Sequence, residues 1–157
     1  MTHNGLAALI RRGGIYYDVL GNNPHEILAN IINEADVPVS LDREKLLEAV
    51  LERECLMSTA IGGGIALPHP RNPLISAPEE QFVCIAFPQN PPDWNSLDGQ
   101  NVHTVFLIVS ASAKLHLHIL SEINYFCRQE KFFELLKRRV SQEELVRMIA
   151  EIEETWI

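Results

Sequence analysis

The sequence predicts an α+β fold: an α/β/α three-layer sandwich in which a mixed sheet of four to five strands carries helices on both faces. Two observations lead there. The segments around Ile65, Val83 and Phe106 are each too apolar to leave one sheet face in water. Before and after them run stretches whose apolar residues recur at helical spacing. A length of 157 residues with 46% hydrophobic residues fits a single domain over 1–157 with a sizeable core.

Taken in order, Leu6 to Ile10 form a short amphipathic helix closed by Arg11, Arg12 and Gly13, cations and glycine being favoured at a helix C-terminus. Ile15 to Leu20 read as a first strand. Asn23-Pro24-His25-Glu26 is a helix start, and Ile27, Leu28, Ile31, Ile32 and Ala35 form its stripe. His25 falls in the exposed first turn. A second helix is expected from near Ser40 to about Glu54, buried through Leu46, Leu47, Val50 and Leu51. Ile65-Ala66-Leu67 is a short buried strand ended by Pro68, which cannot donate to a ladder. Gln81–Phe87 and Val102–Val109 are strands, joined by a turn-rich connection containing Trp94, as a cap on the core edge, and a tight Asp98-Gly99 turn. His103 is expected at a sheet edge. Ser112 opens a helix to about Cys127. Lys131 to Val140 make another, and Ser141-Gln142-Glu143-Glu144 caps a last one with Leu145, Met148, Ile149 and Ile152 inside.

Histidines carry the chemistry. His69 stands at a strand end between Pro68 and Pro70, behind Gly62-Gly63-Gly64, so its direction is restricted. On the later helix His116 shares a face with Leu120, Ile123 and Cys127 and points inward. His118 shares a face with Glu122 and Tyr125, can pair with Glu122, and points to solvent. Arg53, in the last turn of its helix, is either a cation complementing that helix end or a planar fork for a phosphate.

The stretch Arg53-Glu54, Ser58-Thr59, Gly62 to Gly64, Ile65-Ala66 and Pro68-His69 resembles the active-site segment of the type-2 enzyme IIA domains of the phosphoenolpyruvate-dependent phosphotransferase system. These include the mannitol and fructose types and the nitrogen-regulatory IIA proteins, which the chain resembles most. Many members have Gly where Pro70 stands. His116-Leu117-His118-Ile119-Leu120-Ser121 resembles the segment holding the family's second histidine. The resemblance covers roughly Leu6 to Ile152 and implies the same fold. It also implies that His69 accepts a phosphoryl group from a small histidine-containing phosphocarrier, with His116 and Arg53 beside it. Ser58 or Thr59 and the backbone around Gly62 and Gly64 are the further groups expected to stabilise the phosphate. The role implied is a regulatory relay. Alternatives are a sugar-specific IIA component passing phosphate to a IIB domain, and a non-phosphorylated regulatory binding domain.

Composition narrows the partners. A net charge of −8 argues against a nucleic-acid backbone and fits a partner with a basic face. Cys55, Cys84 and Cys127 are odd in number, widely spaced and form no Cys-x-x-Cys, so a reduced cytoplasm is expected. No apolar run reaches the roughly 20 residues a membrane helix needs. No phosphate-loop lysine motif occurs, and no cofactor is expected. A metal site from His69, His116 and His118 is disfavoured because helical geometry turns His118 away from His116.

Overall fold

Helix starts follow side-chain chemistry. In the computed structural model, which describes residues 5–156, Asn23, Asp42, Ser112 and Ser141 each accept a backbone N–H through the side chain. They thereby satisfy donors that the first turn leaves unpaired. The helices are α1 (Leu6–Gly13), α2 (Pro24–Glu34), α3 (Arg43–Leu56), α4 (Ala113–Cys127), α5 (Glu130–Lys137) and α6 (Gln142–Glu153). α3 thus starts at Arg43, behind Asp42, rather than near Ser40.

Five strands form one mixed sheet: β1 (Ile15–Val19), β2 (Ala60–Gly62), β3 (Ile65–Ala66), β4 (Phe82–Pro88) and β5 (Thr104–Val109), in the order β1-β4-β5-β3-β2. β1 and β4 are parallel, as are β3 and β5; the β4–β5 and β2–β3 pairs are antiparallel. Strand alternation sorts the core into two halves. Val83, Ile85, Phe87, Phe106, Ile108, Ile65 and Leu67 pack with α1, α4, α5 and α6. Cys84, Ala86, Val105, Leu107, Val109 and Ala66 pack with α2 and α3. This is the three-layer arrangement expected. β5 lies inside the sheet, so His103, one residue before it, is not at a sheet edge. Trp94 is buried at 1% exposure within the α2–α3 half. At Gly13 the backbone of β4 comes so close that a Cβ would sit 2.2 Å from the Val83 carbonyl oxygen.

The α4 surface differs from expectation in one respect. Its buried arc is Ile119, Glu122, Ile123 and Phe126. Glu122 lies three residues after Ile119 and four before Phe126, which places it within the arc. Its Oε2 accepts the Leu6 N–H at 3.0 Å, and the Glu153 carboxylate accepts that of Ala7 at 2.7 Å. Together they cap α1, whose N-cap residue is Gly5, with no side chain to do so. His118 stays exposed and faces Trp156, with ring centroids 6.1 Å apart, instead of pairing with Glu122. The Trp156 ring also lies against Tyr125, with centroids 5.0 Å apart and planes tilted by 52°; Ile157 lies outside the described residues.

Burial raises the Glu122 carboxyl from 4.5 to about 7, and neighbouring Glu153 adds to the rise, against the Leu6 N–H bond. Between those values the folded protein holds a proton that the unfolded chain has released. Stability is therefore lost as pH rises through this window. Glu122→Gln keeps an acceptor for Leu6 and removes the charge. It should raise stability at pH 8 by on the order of 1 kcal/mol, with the gain vanishing below the ordinary carboxyl value. Urea unfolding of both proteins at the two pH values checks this.

Candidate functional site

The site forms where two parallel strands end. The Ile108 N–H donates to the Pro68 carbonyl at 3.0 Å, so the β3–β5 alignment continues past Ala66. The side chains of Ile65 and Leu67 lie on the α4 side of the sheet, and period-two alternation sends His69 the same way. β5 meanwhile leads through Ser110 and Ser112 into α4, which carries His116 in its first turn. The His69 and His116 rings come together, centroids 4.5 Å apart and planes tilted by 45°.

His69 Nδ1 lies 2.7 Å from the Leu67 carbonyl oxygen. A carbonyl can only accept, so Nδ1 carries the proton and Nε2 keeps its lone pair. His116 Nδ1 is 3.1 Å from the Ser110 hydroxyl. Burial lowers the pKa of His69 most; the Leu67 carbonyl raises it, Arg53 lowers it and Glu54 raises it. Burial, then His69, then Arg53 push His116 down to about 4. Both rings are therefore neutral at pH 7. Arg53 donates through Nη1 to the Met57 carbonyl at 2.7 Å, within electrostatic reach of both rings. The site therefore draws on both helix layers, Arg53 coming from α3 and His116 from α4.

The remaining expected residues lie further out. Ser58 Oγ donates to the Trp94 carbonyl and accepts the Ala60 N–H. Thr59 donates its N–H and its hydroxyl to the two oxygens of Glu54, at 2.8 and 2.6 Å. Both hydroxyl protons are thus engaged within the protein. Gly62 to Gly64 make the β2–β3 hairpin turn, with φ of +93°, +66° and +82°. Two-residue hairpin turns of this hand need positive φ, and glycine adopts it without strain. That turn is tied to Asp98, which accepts the Gly63 N–H, and to His103, whose Nε2 meets the Gly63 carbonyl at 3.0 Å. Gly64 and Pro68 are separated by about 13 Å of extended chain, with His69 beyond. The structure therefore brings His69, His116 and Arg53 together and leaves the glycines at the opposite end of β3. Ser110 and the Glu54 clamp are site features that sequence reasoning missed. Ser110 could have been noticed as the polar residue closing an apolar strand just before the Ser112 cap.

A cleft of about 270 Å³ opens beside His116, lined by Pro70 to Pro73, Ser110, Ser112 and Leu117 among others. Leu56, Met57, Leu74 and Leu117 are exposed apolar side chains on the segments that flank the site. Among the described residues, no group of three or more His, Cys, Asp or Glu could hold a metal ion, and no helix is long and apolar enough to cross a membrane.

Comparison with known proteins gives a consistent picture. Residues 9–152 match the family described as phosphoenolpyruvate-dependent sugar phosphotransferase system, EIIA 2. The nitrogen regulatory protein of Escherichia coli is 33% identical over 131 residues, 80% of this chain and 77% of that protein. The fructose-specific EIIABC component of Bacillus subtilis is 28% identical over 92% of this chain, which spans 23% of that longer protein. Among solved structures, nitrogen regulatory protein IIA-Ntr from Neisseria meningitidis has a TM-score of 0.72 at 24% identity, covering 86% of this chain and 92% of that one. The mannitol IIA in complex with phosphorylated IIB from Escherichia coli has a TM-score of 0.68 at 16% identity, covering 87% and 94%. The two structural likenesses bear on the fold.

The shielded rings make a pH prediction. Titration of imidazole nitrogen signals should give a midpoint for His69 below the ordinary 6.5 and for His116 near 4. Because the folded values are depressed, the stability these neutral rings contribute is full above 6.5 and is lost as pH falls toward 4. An ordinary midpoint for His116 would contradict its burial against His69 and Arg53.

Proposed function

We propose, from the premise that this chain belongs to the type-2 EIIA family of the phosphoenolpyruvate-dependent sugar phosphotransferase system, that it is a phosphohistidine relay protein of the nitrogen-regulatory kind. Its donor in this reading is a histidine-containing phosphocarrier and the acceptor is His69. The observation that carries the reading is the Leu67 carbonyl, which holds the Nδ1 proton and leaves Nε2 as a nucleophile beside His116. The 33% identity to a nitrogen regulatory protein supports the regulatory choice. The fructose-specific relatives keep a second reading in play, in which a IIB domain receives the phosphate.

In the transfer step the Nε2 lone pair attacks phosphorus in line, and the P–N bond to the donor histidine breaks, its electron pair returning to the donor ring. His69 becomes a phospho-imidazolium, and its retained Nδ1 proton is stabilised by Leu67. Such transfer needs mainly positioning and charge stabilisation. Arg53, released from the Met57 carbonyl, offers a bidentate fork to the phosphoryl oxygens. Neutral His116 can donate one further hydrogen bond without adding charge. Ser58 and Thr59 serve in this scheme by shaping the chain between α3 and β2, and Gly62 and Gly64 by turning the hairpin. The chain acts as one IIA domain.

Intact mass after incubation with phosphoenolpyruvate, enzyme I and a phosphocarrier should show a gain of one phosphoryl group. His69→Ala should abolish that gain. His116→Ala or Arg53→Ala should leave an acceptor that loads more slowly, about tenfold for each ~1.4 kcal/mol of lost stabilisation. His118→Ala should load normally, since its ring faces Trp156. A phosphorylated His69→Ala protein would remove the proposed nucleophile.

A further inference from the structure

One hydrogen-bonded path runs from the end of α3 to the reactive ring. Glu54 accepts the Thr59 hydroxyl at 2.6 Å and the Thr59 N–H at 2.8 Å. The Thr59 carbonyl accepts the Leu67 N–H at 3.0 Å. The Leu67 carbonyl then accepts the Nδ1 proton of His69 at 2.7 Å. Thr59 is 6% exposed and Leu67 4%, so water has little access to substitute along the way. At the end of α3 the C-cap residue, Met57, has an extended backbone and its carbonyl accepts Arg53 Nη1, and the chain leaves the helix directly for the hairpin.

We propose that Glu54 is a positioning residue for His69, setting the tautomer and direction of its ring through Thr59 and Leu67. The carbonyl that orients a histidine is useful only if it is itself held. Leu67 lies beyond the two residues of β3, and the bond from its own N–H is to Thr59. A carboxylate gripping Thr59 twice immobilises that partner with two charge-assisted bonds, which are stronger than neutral ones. Outer groups that fix the second nitrogen of a functional histidine play the same part at metal centres. Arg53, the preceding residue, points the opposite charge at the site. The groups acting electrically on His69 are thus Arg53 and Glu54 from α3, with the His116 ring of α4 against it. Glu54 favours the protonated ring and Arg53 the neutral one, so the helix end carries both the orienting path and its electrical balance.

The inference deepens the relay reading, yet its test can be run on the unphosphorylated protein. Imidazole nitrogen spectra of the full chain at pH 8 should show His69 as the Nδ1–H tautomer alone. In Glu54→Ala the other tautomer should appear, and the initial rate of phosphoryl uptake should fall tenfold or more. Glu54→Gln can still accept the Thr59 N–H and donate to its hydroxyl. It should therefore keep the single tautomer and restore much of the rate, while its His69 midpoint moves to lower pH because the raising charge is gone. A role confined to bracing the loop would leave the tautomer unchanged, whereas loss of the charge moves the midpoint in either case. Retention of the Nδ1–H form alone in a folded Glu54→Ala protein overturns the proposal. If that variant does not fold, Glu54→Asp takes its place, since the shorter side chain keeps the charge and loses the reach to Thr59, and retention of the Nδ1–H form alone there overturns the proposal. Failure of the wild-type protein to take up phosphate would reject the relay reading and leave the spectra to decide the role of Glu54.

Discussion

The parallel pairing of β3 with β5 is the constraint on which the site depends. Two strands running the same way end at the same side of the sheet, so whatever follows each is brought together. Here one strand is followed by Pro68-His69 and the other by Ser110 and the first turn of α4. Antiparallel pairing would put His69 at the start of β5, near His103, and His116 a strand length away. The ladder is continued by the Pro68 carbonyl on Ile108, although Pro68 itself has no N–H to donate. Period-two alternation then decides which layer receives the ring, and a slip of one residue would turn it toward the α2–α3 half of the core.

Once the rings meet, their shared burial sets their charge state. An exposed imidazole is half protonated near pH 6.5. Burial, with Arg53 in reach, lowers His69 and brings His116 to about 4, so neither competes for protons at neutral pH. The two neutral rings therefore lie side by side without mutual repulsion, with the Arg53 cation in reach.

Much of this was legible in the sequence, and the misses have physical causes. Caps at Asn23, Ser112 and Ser141 are local events that need only neighbouring residues, so helix starts could be read directly. Apolar runs at Val83 and Phe106 announced strands covered on both faces. Strand direction was not legible, because no local residue encodes which neighbour a strand will pair with. The glycines were set beside the phosphate by the family resemblance, and the β2–β3 hairpin holds them at the end of β3 away from His69. His103 was assigned to an edge because strand order, like strand direction, is not encoded by local residues. Glu122 was read as solvent-facing from its spacing to His118. The buried arc of α4 is set by where α1 docks, and the unpaired N–H groups of Leu6 and Ala7 draw carboxylates inward. His116 was assigned inward from the face it shares with Leu120, Ile123 and Cys127, part of a broad apolar stripe. That stripe centres on Ile119, Ile123 and Phe126, one row over from the Leu120–Cys127 row expected.

The three cysteines, which the sequence could only count, differ sharply in access. Cys84 lies in the middle of the sheet and Cys127 under the α4–α5 turn, and burial pushes both thiols up to about 12. A thiolate is the reactive form, so both are closed to electrophiles near neutral pH. Cys55 alone is exposed, on the last turn of α3 directly after Arg53 and Glu54. The native chain thus carries one addressable thiol at the rim of its site. A fluorophore or spin label attached there would report partner docking without any engineered substitution.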